Sequence, residues 1–400
     1  MRLLHTSDWH LGRTLHGENL LPHQADFLGW LLGQAVEQQV GAVLVAGDVY
    51  DRAVPTVDAV AALDQALAGF AAAGIPVIMT SGNHDSAIRL GFGAALSEAA
   101  GIHLRTRVAD IARPVVLSDA DGEVAVYGIP YLLPDAVMAD LSAERSHASV
   151  LAAAAALIRA DAAGRGIGRT VAVAHAFVTG AVGCDSERDI SVGGIGDAPA
   201  SVFAGLSYVA LGHLHGQQDV VARGTGTAVR YCGSPLAFSF SERHHAKSVT
   251  LVDIDGAGRV STTKNAAPVP RPLREVRGTL ADLLARDDGE LAGAWVKAVL
   301  TDQIRPAAPM ERLREKWPHT LVLGFEPDGE PAATAADLRR LAGTTDPGEI
   351  CAMHVEFTSG GTPDDEQRAV LADVIEAVQR SEPGAVAAAA AASAGVRAAA

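Results

Sequence analysis

Five short polar blocks punctuate the first 215 residues: Asp8-Trp9-His10, Gly47-Asp48-Val49-Tyr50-Asp51, Gly82-Asn83-His84-Asp85, a single His175, and Gly212-His213-Leu214-His215. They supply carboxylate, amide and imidazole donors and no thiolate. That set suits a hard or borderline divalent ion, Mn²⁺ foremost with Fe²⁺ or Mg²⁺ as alternatives, rather than a closed structural zinc site. Asp8, His10, Asp48, Asn83, His175, His213 and His215 are too many donors for one octahedral ion with an open position. Two ions sharing a bridging carboxylate use them all. Taken singly, each has a blander explanation: a histidine after an apolar strand is commonly a hydrogen-bonded structural residue, and an aspartate can cap a helix. Coincidence at five separate places is a poor account of the whole set.

The elements that carry these blocks make the pattern sharper. Up to about residue 265 short β-branched runs alternate with helix-period stretches, the rhythm of an α/β domain. Strands are expected at 2–6, 42–46, 76–80, 124–129, 170–174, 208–211, 229–232 and 248–254, and helices at 23–38, 56–73 and 86–100. The polar blocks follow the strands at 2–6, 42–46, 76–80, 170–174 and 208–211, and carboxyl ends of neighbouring strands converge on one crevice. Gly47, Gly82 and Gly212 precede donors and would let the backbone turn there. His5, His16, His23, His103, His147, His244, His245, His319 and His354 lack such a setting and are expected to be surface or structural.

Ala266–Pro272 is a proline-rich break. Four segments are expected: a domain over 1–265, a small mixed unit over 273–328 with strands at 295–300 and 320–325 and a helix at 308–316, a helical segment over 330–382, and an alanine-rich tail over 383–400. Thr362-Pro363-Asp364-Asp365 reads as a helix start, with Thr362 capping and Pro363 in the first position. The helix that follows carries an apolar stripe of Val370, Leu371, Val374, Ile375 and Val378.

Over 400 residues, 47 acids oppose 32 bases for a net charge of −15. That excludes a uniformly basic coat for nucleic acid, though not a local basic groove. Three scattered cysteines form no disulfide framework, which suits a reducing cytosol. No apolar run reaches the roughly 18 residues of a membrane span. A cytoplasmic protein is therefore expected.

The motif series DxH, GDxxD, GNHD, a lone His and GHxH resembles the calcineurin-like metallophosphoesterases, whose fold is a β-sandwich flanked by helices. Within them HTSDWHLG, VAGDVYDRAVP, SGNHDS, YVALGHLH and YCGSPLAFSF resemble the bacterial SbcD-type nucleases, with LREVRGTL at 273–280 where that family has its small α+β capping domain, which faces the DNA end. The resemblance covers residues 1 to 325.

It implies that Asp8, His10, Asp48 and His215 hold one ion and that Asp48, Asn83, His175 and His213 hold the other. His84 would stabilise the transition state or protonate the leaving oxygen of a phosphodiester, with Asp51 orienting its ring. It further implies 3′–5′ exonuclease action on duplex DNA, endonuclease action on single strands, and roles in DNA repair and recombination. The expected partners are DNA and an SbcC-type coiled-coil ATPase, because the chain itself has no GxxxxGK[ST] loop. The helix near 364–380 is the candidate dock for that ATPase, with packing on its own domain as the equal alternative. A homodimer would form through the helices at about 56–73 and 86–100. Arg13, Arg52, Arg89 and Ser234 are candidate DNA contacts. A phosphatase or small-molecule phosphodiesterase on the same two-ion site is the alternative, which Asp85 disfavours, since phosphoprotein phosphatases usually have Glu after the GNH block. A non-catalytic adaptor is disfavoured by the complete ligand set.

Overall fold

A computed structural model describes residues 1–187, 198–327, 343–359 and 362–381. The chain divides after Leu273 into two units. The expected tail over 383–400 and part of the expected segment over 330–382 lie outside the described residues.

The first unit begins with β1 (Arg2–Thr6), a small hairpin of β2 (Thr14–Leu15) and β3 (Glu18–Asn19), α1 (Leu21–Glu37), β4 (Ala42–Ala46), α2 (Val57–Ala72), β5 (Val77–Thr80), α3 (Ala87–Leu90), α4 (Ala94–Ser97) and β6 (Ile102–Arg105). It continues through β7 (Val115–Asp119), β8 (Gly122–Ile129), α5 (Pro134–Val137), α6 (His147–Arg165), β9 (Arg169–His175), β10 (Tyr208–Gly212), β11 (Gln218–Val220), β12 (Ala228–Tyr231), β13 (Ser248–Ile254) and β14 (Val260–Ala266). Two six-stranded sheets result, ordered β14-β13-β1-β4-β5-β6 and β11-β12-β10-β9-β8-β7.

The inner faces of the sheets meet through Leu3, Leu44, Ile78 and Val252 on one side and Val126, Val173, Tyr208 and Ala210 on the other. The outer face of the first sheet (Val43, Val45, Met79) packs on Phe27, Leu31, Leu63 and Phe70 of α1 and α2. That of the second (Ala172, Ala174, Leu211) packs on Val150, Leu151, Ala154 and Ile158 of α6. Because the central strands are covered on both faces, they read in sequence as unbroken apolar runs.

β1, β4, β5 and β6 run parallel, as do β8, β9, β10 and β12. The carboxyl ends of each parallel set therefore lie along one edge, and the polar blocks follow there. Glycine brings the two edges together. A Cβ on Gly212, at the end of β10, would fall onto the carbonyl oxygen of Ala46, at the end of β4.

Three expectations change. The helix expected over 86–100 is broken into α3, α4 and a 3-10 turn at Glu98–Ala100, with Gly91 and a left-handed Gly93 (φ 73°) between. β6, β7, β14 and the long alanine-rich α6 were not anticipated. The helix Asp365–Ser381 is capped by Asp364, not Thr362. Gln367 N–H donates to Asp364 Oδ1 at 2.8 Å, and Asp364 N–H donates to Gln367 Oε1 at 3.1 Å, a reciprocal capping box.

In the second unit, β15 (Leu273–Gly278), β16 (Trp295–Leu300) and β17 (Thr320–Phe325) form a sheet in that order. α7 (Leu280–Ala285) and α8 (Pro309–Lys316) share a core with it, built on Leu280, Leu283, Val296, Leu300, Leu313 and Trp317. A helix at Pro347–Ser359 then packs against the one at Asp365–Ser381. Among the described residues no helix is long and apolar enough to cross a membrane.

Candidate metal centre

The loop after β1 and the loop after β4 continue the pairing of their strands. Asp8 N–H donates to Gly47 O at 3.0 Å and His10 N–H to Asp48 O at 2.9 Å. Eight described non-glycine residues have positive φ, and four of them are candidate ligands: Asp8 (53°), His10 (44°), Asp48 (48°) and His213 (105°). Left-handed backbone is costly for such residues and concentrates where side-chain direction matters for function. The three motif glycines divide by reason. Gly47 takes a left-handed turn (φ 82°) and also admits the His175 ring, whereas Gly82 and Gly212 are needed for close approach alone, a Cβ on Gly82 falling onto Asp48.

All seven candidate donors converge. Asp8, His10 and His215 place ligand atoms within 4.8 Å of one another, and so do Asp8, Asp48 and His175. His10 Nε2 faces His215 Nε2 at 3.2 Å. Asp48 Oδ2 lies 3.6 Å from His10 Nε2 and 3.5 Å from His175 Nε2, a bridging position between the two groups. Asn83 Oδ1 stands 2.9 Å from His175 Nε2 and 3.3 Å from His213 Nδ1.

The hydrogen bonds around these groups define what the inner atoms can be. His175 Nδ1 lies 2.9 Å from the carbonyl of Ala46, which can only accept. Nδ1 therefore carries the proton, and neutral Nε2 presents a lone pair toward the Asn83 and Asp48 oxygens. Acceptors pointed at one another repel unless a cation lies among them.

Titration tells the same story. Burial and the neighbouring Asp48 push the Asp8 carboxyl well above its usual range. Burial pushes His10 and His213 well down and His175 down to about 4. A closed set of buried acceptors disfavours its own charges, and a divalent cation reverses that balance. The donor set thus fits a pair of divalent ions, with Asp48 shared.

His84 stands beside the candidate ligands, with a ring nitrogen within 4.8 Å of donor atoms of His10 and Asp48. Its backbone N–H donates to Asp48 Oδ1 at 2.9 Å, and its ring Nδ1 donates to the backbone carbonyl of Asp51 at 2.8 Å. Nε2 stays 4.0 Å from Asp48 Oδ2. Asp51 holds the His84 ring as expected, but through its main-chain carbonyl and not its carboxylate. Its carboxylate points to His10 Nδ1 and the Arg13 guanidinium, at 3.6 and 3.5 Å, and only its main chain holds His84.

The candidate DNA contacts separate in the same way. Ser234 is fully buried; its N–H donates to His215 O and its hydroxyl to Leu236 O, so it has no donor left for a phosphate. Arg13 is bound inward, donating to Ser186 O at 2.9 Å with its guanidinium 4.9 Å from the Phe238 ring centre. Arg89 donates to Ala53 O from an exposed position. Arg52 projects with its side chain 81% exposed.

Sequence reasoning missed a supporting shell. The Gln24 amide donates to Trp9 O and His10 O at 2.8 and 2.7 Å, which fixes the first loop from α1. Asp85 accepts from Gly82, Val49 and Tyr50 N–H groups at 2.9, 3.1 and 2.9 Å, stapling the second loop to the third. Glu187 accepts from His215 N–H at 2.6 Å. Asp85 stands inside a motif block, though its stapling task was not legible, and nothing in sequence distinguishes Gln24 or Glu187 from surface polar residues.

Comparison with known proteins agrees with this geometry. Residues 1–217 match the calcineurin-like phosphoesterase family, and residues 269–350 match a family described as the type 5 capsule protein repressor C-terminal domain. The SbcD component of nuclease SbcCD from Bacillus subtilis (strain 168) is 33% identical over 338 residues, covering 80% of this chain and 84% of that protein. Its namesake from Escherichia coli (strain K12) is 33% identical over 322 residues, covering 75% and 78%. That from Rhodobacter capsulatus is 35% identical over 296 residues, covering 69% and 71%. A fold, a donor set and relatives that agree over most of the chain place it among the calcineurin-like phosphoesterases and, within them, in the SbcD nuclease family, as a metal-dependent phosphodiesterase.

Proposed function

We propose that this chain is the DNA-cleaving component of a complex with an SbcC-type coiled-coil ATPase, acting as a 3′–5′ exonuclease on duplex ends and an endonuclease on single strands. The observation that carries the reading is the convergence of buried acceptors around Asp48 beside an anchored His84. Asp8, His10, Asp48 and His215 would hold one Mn²⁺ and Asp48, Asn83, His175 and His213 the other. Such a pair supplies Lewis acidity to the phosphate and an activated water.

The protein's own part is positioning. Bonding of His84 Nδ1 to the Asp51 carbonyl orients the ring so that Nε2 can meet a phosphoryl oxygen or the leaving oxygen. Arg52, its side chain 81% exposed and 3.6 Å from the Asp51 carboxylate, and the exposed Arg89 are the two candidates that could reach a DNA phosphate. With a net charge of −15, the chain alone has little non-specific attraction for DNA, so affinity would come from the dimer and the ATPase.

Two apolar surfaces fit the partners. Around α2, α3 and α4, Val57, Ile88, Phe92 and Leu96 are exposed while Leu63 and Leu90 are buried on the chain's own sheet, so the outer half of this segment is free for a second copy. On the helix Asp365–Ser381, Val370, Val374 and Val378 are exposed at four-residue spacing and Leu371 and Ile375 are half-buried, a stripe suited to a coiled-coil base. Residues 273–328 would be the capping domain that faces the DNA end.

The test is cleavage of duplexes labelled at the 3′ or the 5′ end, with the ATPase partner and Mn²⁺, with and without ATP. ATP-stimulated release of nucleotides from the 3′ end supports the reading. Equal activity without partner and ATP, or loss from the 5′ end, contradicts it.

A further inference from the structure

The family-bearing stretch from Tyr231 to Lys247 contributes none of the seven candidate metal donors, yet it wraps the ring of His215. Glu242 and Lys247 form an ion pair with both residues almost wholly buried. Removing two charges from water is expensive unless every lone pair and proton finds a partner. Here they do. Lys247 Nζ donates to Glu242 Oε2, to Ser234 Oγ at 2.8 Å and to the backbone carbonyl of His215 at 3.1 Å. Glu242 Oε1 accepts from the Ser186 hydroxyl at 2.6 Å and from Phe238 N–H at 2.9 Å.

The direction of this chain of bonds settles the state of His215. Ser186 has one hydroxyl proton, and it goes to Glu242. Its oxygen, 2.7 Å from His215 Nδ1, must then accept, so Nδ1 carries the imidazole proton. Nε2 is left as a lone pair on the side of Asp8 and His10, where an ion would sit. The backbone is held at both ends as well, His215 N–H by Glu187 and His215 O by Lys247. Gly233 permits the close approach, since a Cβ there would press on His215 O at 2.8 Å.

We propose that the buried Glu242–Lys247 pair, acting through Ser186, is a positioning device that fixes the tautomer and orientation of His215 for the ion shared with Asp8 and His10. This rests on the two-ion reading above. Cys184, Glu187 and His215 also stand close enough to surround an ion of their own. The Glu187 oxygens, however, are already committed to His215 N–H, Cys184 N–H and the Cys184 thiol. That wall is a hydrogen-bonded support and not a third metal site.

The test is Mn²⁺ titration of the metal-free full chain by calorimetry, alongside electron paramagnetic resonance, for wild type, Ser186→Ala, and a Glu242→Gln/Lys247→Met double variant that avoids leaving one buried charge alone. Wild type should take up two ions per chain and show a spin-coupled pair. Each variant should weaken one of the two binding events by about 10- to 100-fold and leave the other in place. At low metal its spectrum should be that of an isolated ion, and excess Mn²⁺ should restore the coupled one.

Two affinities within twofold of wild type in both variants would overturn the proposal, whatever happens to their melting temperatures, because a merely structural role moves stability and not one site. A wild-type chain that binds fewer than two ions would overturn the two-ion reading itself. Neither outcome depends on DNA cleavage.

Discussion

In the proposed reading, His84 and the candidate ligands around it would have separable tasks. His84 is held by its backbone N–H and by Nδ1, and although its ring lies within 4.8 Å of His10 and Asp48 donors, it is absent from the two clusters that contain Asp8. His84→Gln should therefore leave Mn²⁺ uptake unchanged while lowering cleavage by about 10²- to 10⁴-fold; a titration and a cleavage assay on one preparation check both halves. His5 offers a second test away from the site. Burial, with the Arg230 charge behind it, pushes this imidazole down to about 3. Unfolded, it titrates near 6.5. The stability that neutral His5 contributes is thus fully present above about pH 6.5 and is lost as pH falls toward 3. Between pH 6.5 and 5 that loss should be about 2 kcal/mol. His5→Asn cannot titrate and should lack this component when urea unfolding is compared at the two pH values. The ligand types were readable from sequence because Asp, Asn and His recur after strand after strand. The tasks of Asp51 and Ser234 were not, because they depend on whether main chain or side chain faces the site.

At the scale of elements, strands covered on both faces announced themselves. β4 and β10 are apolar runs, and their bounds, like those of β1 and β13, were readable to within a residue. β14 was invisible because its residues, Val260-Ser-Thr-Thr-Lys-Asn-Ala266, leave no buried face and pair only with β13 at a sheet edge. α6 was missed for another reason. Its core-facing residues include Ala154, Ala155 and Ala162, small side chains that give little helical periodicity. The glycine at the end of β10 was legible, but its reason was not: it admits the carbonyl of Ala46 from the other sheet. Gly212→Ala should therefore destabilise the fold by about 1–3 kcal/mol through overpacking and weaken Mn²⁺ binding with it. Urea unfolding of the metal-free protein checks the first effect. A stable variant would mean that the sheets are not held together at this point.

For the whole molecule, the exposed apolar residues are where the proposed partners would bind. Ile88, Phe92 and Leu96 are each more than four-fifths exposed and belong to one broken helical segment. Phe92→Asp with Leu96→Asp should convert a dimer to a monomer in light scattering after size exclusion, without altering Mn²⁺ uptake by the chain. Wild type that is monomeric at micromolar concentration would remove the dimer from the account. The central claim is that DNA phosphodiesters are cut at the ion pair bridged by Asp48. Its most direct test is cleavage of a labelled duplex by the full chain with its ATPase partner, in Mn²⁺ and in chelator, beside Asp48→Asn. Cleavage that requires the metal and collapses in the variant is the predicted result. Cleavage that survives chelation or the substitution, or turnover of a phosphomonoester with DNA left intact, would contradict it.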